Sequence, residues 1–213
     1  KGKSPIRLKI EINKLFTNRY HLLRHKEKVY MKSYMPGSIF TINLYSRENI
    51  EIYNNIVIAT ILLGGFGKRS RRGFGSSIID SVNNEKLKIE NLCQFITKLL
   101  NNICGNKVYE VIDNNVILSK KSNTNYPTIK KIEIGKKYRD FDSFLKKIGD
   151  LSHRYKSDAL GYIGQKGRLA SPIVVSAYQN NQDLIPIITT LSSNISFKER
   201  DLDSQNAFKE GVL

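Results

Sequence analysis

Apolar and charged residues alternate strictly in Ile6-Arg7-Leu8-Lys9-Ile10-Glu11-Ile12. A period of two sends the aliphatic side chains to one face, so this segment is expected to be a strand with one face buried and the other wet. The stretch Lys14 to Tyr34 is basic and aromatic without a clean period, and reads as a long loop or a splayed hairpin. After a Pro36-Gly37 turn, Ile39, Thr41, Asn43 and Tyr45 alternate against Phe40, Ile42 and Leu44, which predicts a second strand. Residues 50–63 are apolar almost all round, and their β-branched Ile and Val leave helix and strand both open. The length of the run and the Gly64-Gly65 pair behind it favour a buried helix. Phe74 to Val82 is expected to be a short strand.

Further along, the period changes to that of a helix. Ile89, Leu92, Cys93, Ile96, Leu99, Leu100 and Ile103 recur three and four apart, and Gly105 stops the pattern. Strands are expected over Lys107–Ser119 and Thr128–Tyr138. Asp140 then caps a helix striped by Phe141, Phe144, Leu145, Ile148, Leu151 and Tyr155. Strands at Leu169–Gln179 and Leu184–Ser192 and a short helix over about 204–212 close the chain. Strands interleaved with single helices suit an α+β class of the ferredoxin-like, RRM-type plan, with helices on one face of a sheet and the unit present in two tandem copies. The expected halves are 1–105 and 106–213. The opening Lys1-Gly2-Lys3, without a methionine, suits a trimmed or internal piece, which leaves the first half N-terminally incomplete.

Charge adds a partner to this picture. The net formal charge is +16, and residues 1–72 hold 15 Lys and Arg against 4 acids. Such an asymmetric field suits a polyanion, because each neutralised phosphate releases counterions. Lysine dominates the basic residues, as it does in chains dense in Lys, Asn and Ile, which makes arginine informative. Three of the 11 arginines stand at positions 69, 71 and 72. Arginine is favoured where a planar, bidentate donor holds phosphate or stacks on a base.

Those arginines lie in Gly64-Gly65-Phe66-Gly67-Lys68-Arg69-Ser70-Arg71-Arg72-Gly73-Phe74-Gly75-Ser76, which has five glycines, four cations, two aromatics and no acid. Glycine lets backbone approach a ligand and adopt positive φ, cations hold phosphate, and Phe66 or Phe74 can stack on a base. The expected RNA-binding residues are Gly65, Gly67, Lys68, Arg69, Ser70, Arg71, Arg72 and Phe74, with Arg168 and Ser171 from a second motif, Gly167-Arg168-Leu169-Ala170-Ser171-Pro172. A secondary basic patch comprises Arg19, His21, Arg24, His25, Lys26 and Lys28. The spacing of a Walker phosphate loop is absent. Ser70 replaces the third glycine of a dinucleotide fingerprint, whose strand-before-loop context is also missing.

The string GGFGKRSRRGFGS with its downstream RLASP resembles the RAMP superfamily of CRISPR proteins, and within it the first-numbered subunit family of the type III-B (Cmr) effector complex. The resemblance implies two ferredoxin-like folds, assembly with other RAMP subunits, and a place near the 3′ end of the guide RNA where single-stranded target RNA is captured. It implies a subunit that is not the nuclease, with Arg69, Arg71 and Arg72 in the family's basic loop and Arg168 in its second motif.

Candidate chemistry is thin elsewhere. His21 and His25 stand four apart without an acid placed to complete a metal triad. His153 follows an apolar helix face near Arg154 and Asp158. Asp140, Asp142 and Asp150 are spread along a helix rather than convergent, as two-metal chemistry needs. The expected function is therefore a non-catalytic RNA-binding subunit without cofactor or metal, partnered by guide RNA and single-stranded target RNA. The alternative is a RAMP-type endoribonuclease that processes guide precursors without metal, with histidine as base. Cys93 on its apolar stripe is expected to be a buried free thiol, consistent with a reducing cytoplasm. No apolar run reaches the roughly 20 residues of a membrane span.

Overall fold

The computed structural model describes residues 4–21, 30–67, 69–120, 124, 126–164, 167–180, 183–192 and 195–213. It divides into two compact units, residues 1–57 and 58–213.

In the first unit, β1 (Ile6–Lys14) pairs antiparallel with β4 (Ile39–Ser46), setting Leu8 opposite Leu44, Ile10 opposite Ile42 and Ile12 opposite Phe40. Between them β2 (Thr17–His21) and β3 (Tyr30–Tyr34) form a hairpin, the second of the two forms expected for this stretch. Ser38 ties its base, donating to the Phe16 carbonyl and accepting from the Phe16 amide. The apolar face of β1, expected to be buried, is open: Ile10 and Ile12 each keep 56% of their surface exposed. A two-stranded ribbon cannot bury its own face.

Helix α1 (Ile50–Leu63) ends where Gly64 begins, as expected. The segment Phe74–Asp80 is irregular rather than a strand, and only Ser81–Val82 (β5) and Glu85–Lys86 (β6) pair, around Asn83 and Asn84, both at positive φ. Helix α2 (Leu92–Cys104) follows, capped by the Asn91 side chain at its start and by a left-handed Gly105 at its end. The single strand expected over 107–119 is instead a hairpin, β7 (Tyr109–Ile112) and β8 (Asn115–Leu118). Its turn residues Asp113 and Asn114 adopt φ 48° and 58°, the two-residue turn whose twist matches paired strands. Next come β9 (Ile129–Ile134), α3 (Phe141–Arg154), a 3-10 turn (Asp158–Leu160), and a small hairpin of β10 (Tyr162–Gly164) and β11 (Gly167–Leu169). The chain ends with β12 (Ile173–Asn180), β13 (Asp183–Leu191) and α4 (Glu199–Val212), the last longer than expected.

The main sheet is antiparallel, ordered β12-β13-β9-β8-β7. Strand β13 lies between β9 and β12, so β9, α3 and β12 form a split β–α–β unit with β13 inserted. The architecture is α+β. Residues opposite one another across antiparallel strands share a face. Val116, Ile132 and Ile187 lie in one core with Ile58, Leu62, Ile96 and Leu100, which places α2 and the end of α1 against one face. On the other face Glu133 is paired with Lys209 of α4 at 3.3 Å, while α4 meets α3 where Gly211 abuts Leu151. Helices therefore cover both faces, not the single face expected. The first core mixes residues from before and after position 105. Among the described residues, no helix is long and apolar enough to cross a membrane.

Candidate nucleic-acid interface

In the glycine-rich segment, Gly65, Gly73 and Gly75 serve the chain's own packing. Phe66 donates its amide to the Gly75 carbonyl at 3.0 Å and closes the loop. Gly75 has φ +71°, and a Cβ there would stand 1.9 Å from the Phe66 carbonyl oxygen, a position only glycine fills. Gly73 (φ +81°) lies under Phe144 and Ile148 of α3, which would stand 2.8 and 3.0 Å from its Cβ. Between them, Val175 of β12 donates to the Arg71 carbonyl and accepts from the Gly73 amide, at 3.2 and 2.9 Å. This parallel bridge lends the edge of β12 a partner. Gly67 (φ +86°) lies at the open tip, and a Cβ there meets nothing within 4 Å.

The three arginines diverge. Arg72 turns inward. One terminal nitrogen donates to the Leu160 carbonyl at 2.6 Å, and the other to Ser171 Oγ at 3.2 Å and the Ile173 carbonyl at 3.3 Å. Its guanidinium also lies 5.3 Å from the ring centre of Phe208. Burial, and then the neighbouring Arg71 charge, lower its pKa to about 10, so it stays charged at neutral pH. Arg71 is exposed and donates to the Ser171 carbonyl. Arg69 is exposed on a turn at φ 59°, closed by the Arg72 amide donating to the Arg69 carbonyl at 2.8 Å.

The two motifs that the sequence singled out a hundred residues apart thus meet at Ser171, held by both Arg71 and Arg72. Ser171 is buried and turns its hydroxyl back on Ile173. Arg168 is exposed on β11. Ser70 and Phe74 are half-buried, Gly65 packs against the Phe74 carbonyl, and Lys68 lies outside the described residues. Of the secondary patch, Arg19 and His21 belong to β2, and Arg24, His25, Lys26 and Lys28 lie outside the described residues. Sequence reasoning missed the Leu160 carbonyl and Phe208, whose only signal was an apolar position on the closing helix.

No family model matches the chain, and no curated protein matches it. Among solved structures, a chain of the type III-B Cmr-beta assembly shares its fold, at a TM-score of 0.50 and 18% sequence identity. That assembly was solved by cryo-EM bound to cognate target RNA and AMPPnP in the presence of single-stranded DNA. The match covers 87% of this chain and 56% of the other, so this chain spans little more than half of that chain's length.

Chemically, the loop offers charge on a fixed frame. Arg69 and Arg71 are presented outward while Arg72 and two glycines hold the backbone. Exposed arginines of this kind suit a phosphate chain and carry no base identity by themselves. His153 is exposed at the end of α3, and the described residues contain no group of His, Cys, Asp or Glu that could hold a metal ion. Asp140 serves as the cap of α3, accepting from the Ser143 amide at 2.7 Å. Cys93 is a buried free thiol, as expected, and donates to the Asn114 carbonyl.

Proposed function

We propose that this chain is a non-catalytic RNA-binding subunit of a type III-B CRISPR (Cmr) ribonucleoprotein, working in the cytoplasm and contacting guide or target single-stranded RNA near the 3′ end of the guide. The observation that carries this reading is the loop whose backbone is held by Arg72, Gly73 and Gly75, with Arg69 and Arg71 exposed and Arg71 bonded to Ser171. The fold shared with a chain of an RNA-bound Cmr-beta assembly supports it, as does the net charge of +16. In the same reading the run β9–α3–β12–β13–α4 is a ferredoxin-like copy within the expected 106–213 half, and the chain assembles with other RAMP subunits.

The test is single-stranded RNA binding followed by fluorescence anisotropy across a salt series. Each phosphate contact contributes about 0.7 to the slope of log affinity against log salt for a single strand. Arg69→Ala with Arg71→Ala should therefore weaken binding and flatten the slope by about 1.4. An affinity and slope equal to those of the parent would remove the loop from the RNA interface. Cleavage of the RNA in the presence of a chelator would replace binding with catalysis as the primary activity.

A further inference from the structure

A cavity of about 480 Å³ lies in the second unit, between the end of α3, the 3-10 turn and the start of α4. That volume falls in the range of small-molecule sites, roughly 300–1,000 Å³. Four cations line it: Arg72 from the loop, Lys156 beyond α3, and Lys198 and Arg200 at the start of α4. Against them stand Asp158 and Asp201, so the wall carries an excess of positive charge.

One cation of this wall has no counter-charge among the described residues. Arg72 is bonded to carbonyls and a hydroxyl, and among the described residues no carboxylate pairs with it. A half-buried cation without a counter-charge is costly, and an anion beside it recovers part of that cost. Helix α4 opens at Lys198 without a side-chain cap, and Glu199 and Asp201 in its first turn offset part of the charge at its positive end. Two half-buried tyrosines, Tyr155 and Tyr162, complete the lining with flat apolar surface.

We infer that this cavity binds a phosphorylated nucleotide. The phosphate lies against Lys198, Arg200 and the start of α4, with Arg72 behind it. The base lies on Tyr155 or Tyr162, because stacking on an aromatic ring tolerates any base. Asp158 and Asp201 accept from the sugar hydroxyls. The site is separate from the exposed arginine face of the loop, and it stands whether or not the chain belongs to a CRISPR assembly. The nucleotide is either free or the phosphorylated end of a strand, since the cavity recognises the chemistry they share.

Calorimetric titration of the full chain tests this with AMP, adenosine, inorganic phosphate, and a tetra-adenylate with and without a 5′-phosphate. AMP should bind at least about tenfold more tightly than adenosine, the value of one charge-assisted contact. Lys198→Ala with Arg200→Ala should weaken AMP roughly a hundredfold, at tenfold for each cation removed. Both side chains are exposed, so the urea midpoint should not move. A phosphorylated tetranucleotide that binds more tightly than AMP supports the strand end as the natural ligand, and one that binds more weakly supports the free nucleotide. Three results overturn the inference: no AMP binding, equal affinity for AMP and adenosine, or AMP affinity undiminished in the double variant. Phosphate binding as tightly as AMP also overturns it, because the tyrosines would then hold no base.

Discussion

Replacing Arg72 with lysine tests the division of labour within the loop. The guanidinium spans acceptors on separate segments: the Leu160 carbonyl at 2.6 Å on one side, Ser171 Oγ at 3.2 Å and the Ile173 carbonyl at 3.3 Å on the other. An ammonium is a compact donor on a flexible stem and cannot bridge them, nor does it reproduce a planar group over a ring. Two bonds from a charged donor are worth about 1.5 kcal/mol each, so their loss costs about 3 kcal/mol. The contact with Phe208, 5.3 Å from the guanidinium carbon, adds about 0.5–1 kcal/mol. Arg72→Lys should therefore lose about 3–4 kcal/mol, a large share of the stability of an ordinary domain. Arg71→Ala, which removes an exposed side chain with one carbonyl contact, should lose no more than about 1 kcal/mol. Urea unfolding followed by far-UV circular dichroism reads both, as a lower midpoint at unchanged slope. If Arg72→Lys unfolds within about 0.5 kcal/mol of the parent, which is the ordinary scatter of surface changes, the inward arginine is not what holds the loop.

Three further outcomes follow from local geometry. Asn101 accepts from the amides of Val108 and Tyr109 and donates to the Tyr109 carbonyl, each at 2.9 Å, so Asn101→Ala should lose about 2–3 kcal/mol in the same urea assay. The Ser143 amide holds the Asp140 carboxyl below its ordinary 3.8; its contribution is full above that value and fades as pH falls through the lower folded value, so Asp140→Asn should flatten the acid limb of a stability–pH profile. Cys104 is exposed and Cys93 buried, so a thiol reagent should label Cys104 in the folded protein and reach Cys93 only on unfolding.

Period was legible wherever one face of an element met the core. The stripes of α2 and α3 named their buried residues in advance, with Ile96, Leu99 and Leu100 in one and Phe144, Leu145, Ile148 and Leu151 in the other. Turns inside apolar stretches were not. Asp113-Asn114 interrupts what otherwise scans as one strand, and Asn83-Asn84 turns the chain just past the strand expected over Phe74 to Val82. In both, asparagine or aspartate tolerance of positive φ was the available signal. The number of arginines in the loop was visible, but not their directions. Arg69, Arg71 and Arg72 are the same chemistry within four positions, and only contacts to Leu160, Ile173 and Phe208 turn one inward. The glycines misled in a similar way, since Gly73 and Gly75 admit a phenylalanine ring and a carbonyl of this same chain.

That reversal changes what kind of grip the loop provides. A flexible basic loop loses conformational freedom when it closes on a strand, and the loss subtracts from affinity. This loop is closed at Phe66–Gly75, bridged to β12 at Val175 and bonded through Arg72 before any ligand arrives, so these frame contacts are already made in the free protein. Frame and charge should then separate experimentally. Gly75→Ala forces a Cβ to 1.9 Å from the Phe66 carbonyl at φ +71°, so the loop must open, yet no cation is removed. It should lower single-stranded RNA affinity by roughly five- to thirtyfold, matching the 1–2 kcal/mol of one incompatible glycine position. The salt slope should stay at the parent value, because the number of phosphates neutralised at contact is unchanged. A fall in slope equal to that of the Arg69 and Arg71 double variant would mean that the frame only positions charge. Full affinity in Gly75→Ala would mean that the frame contributes nothing, and the loop binds as a flexible chain.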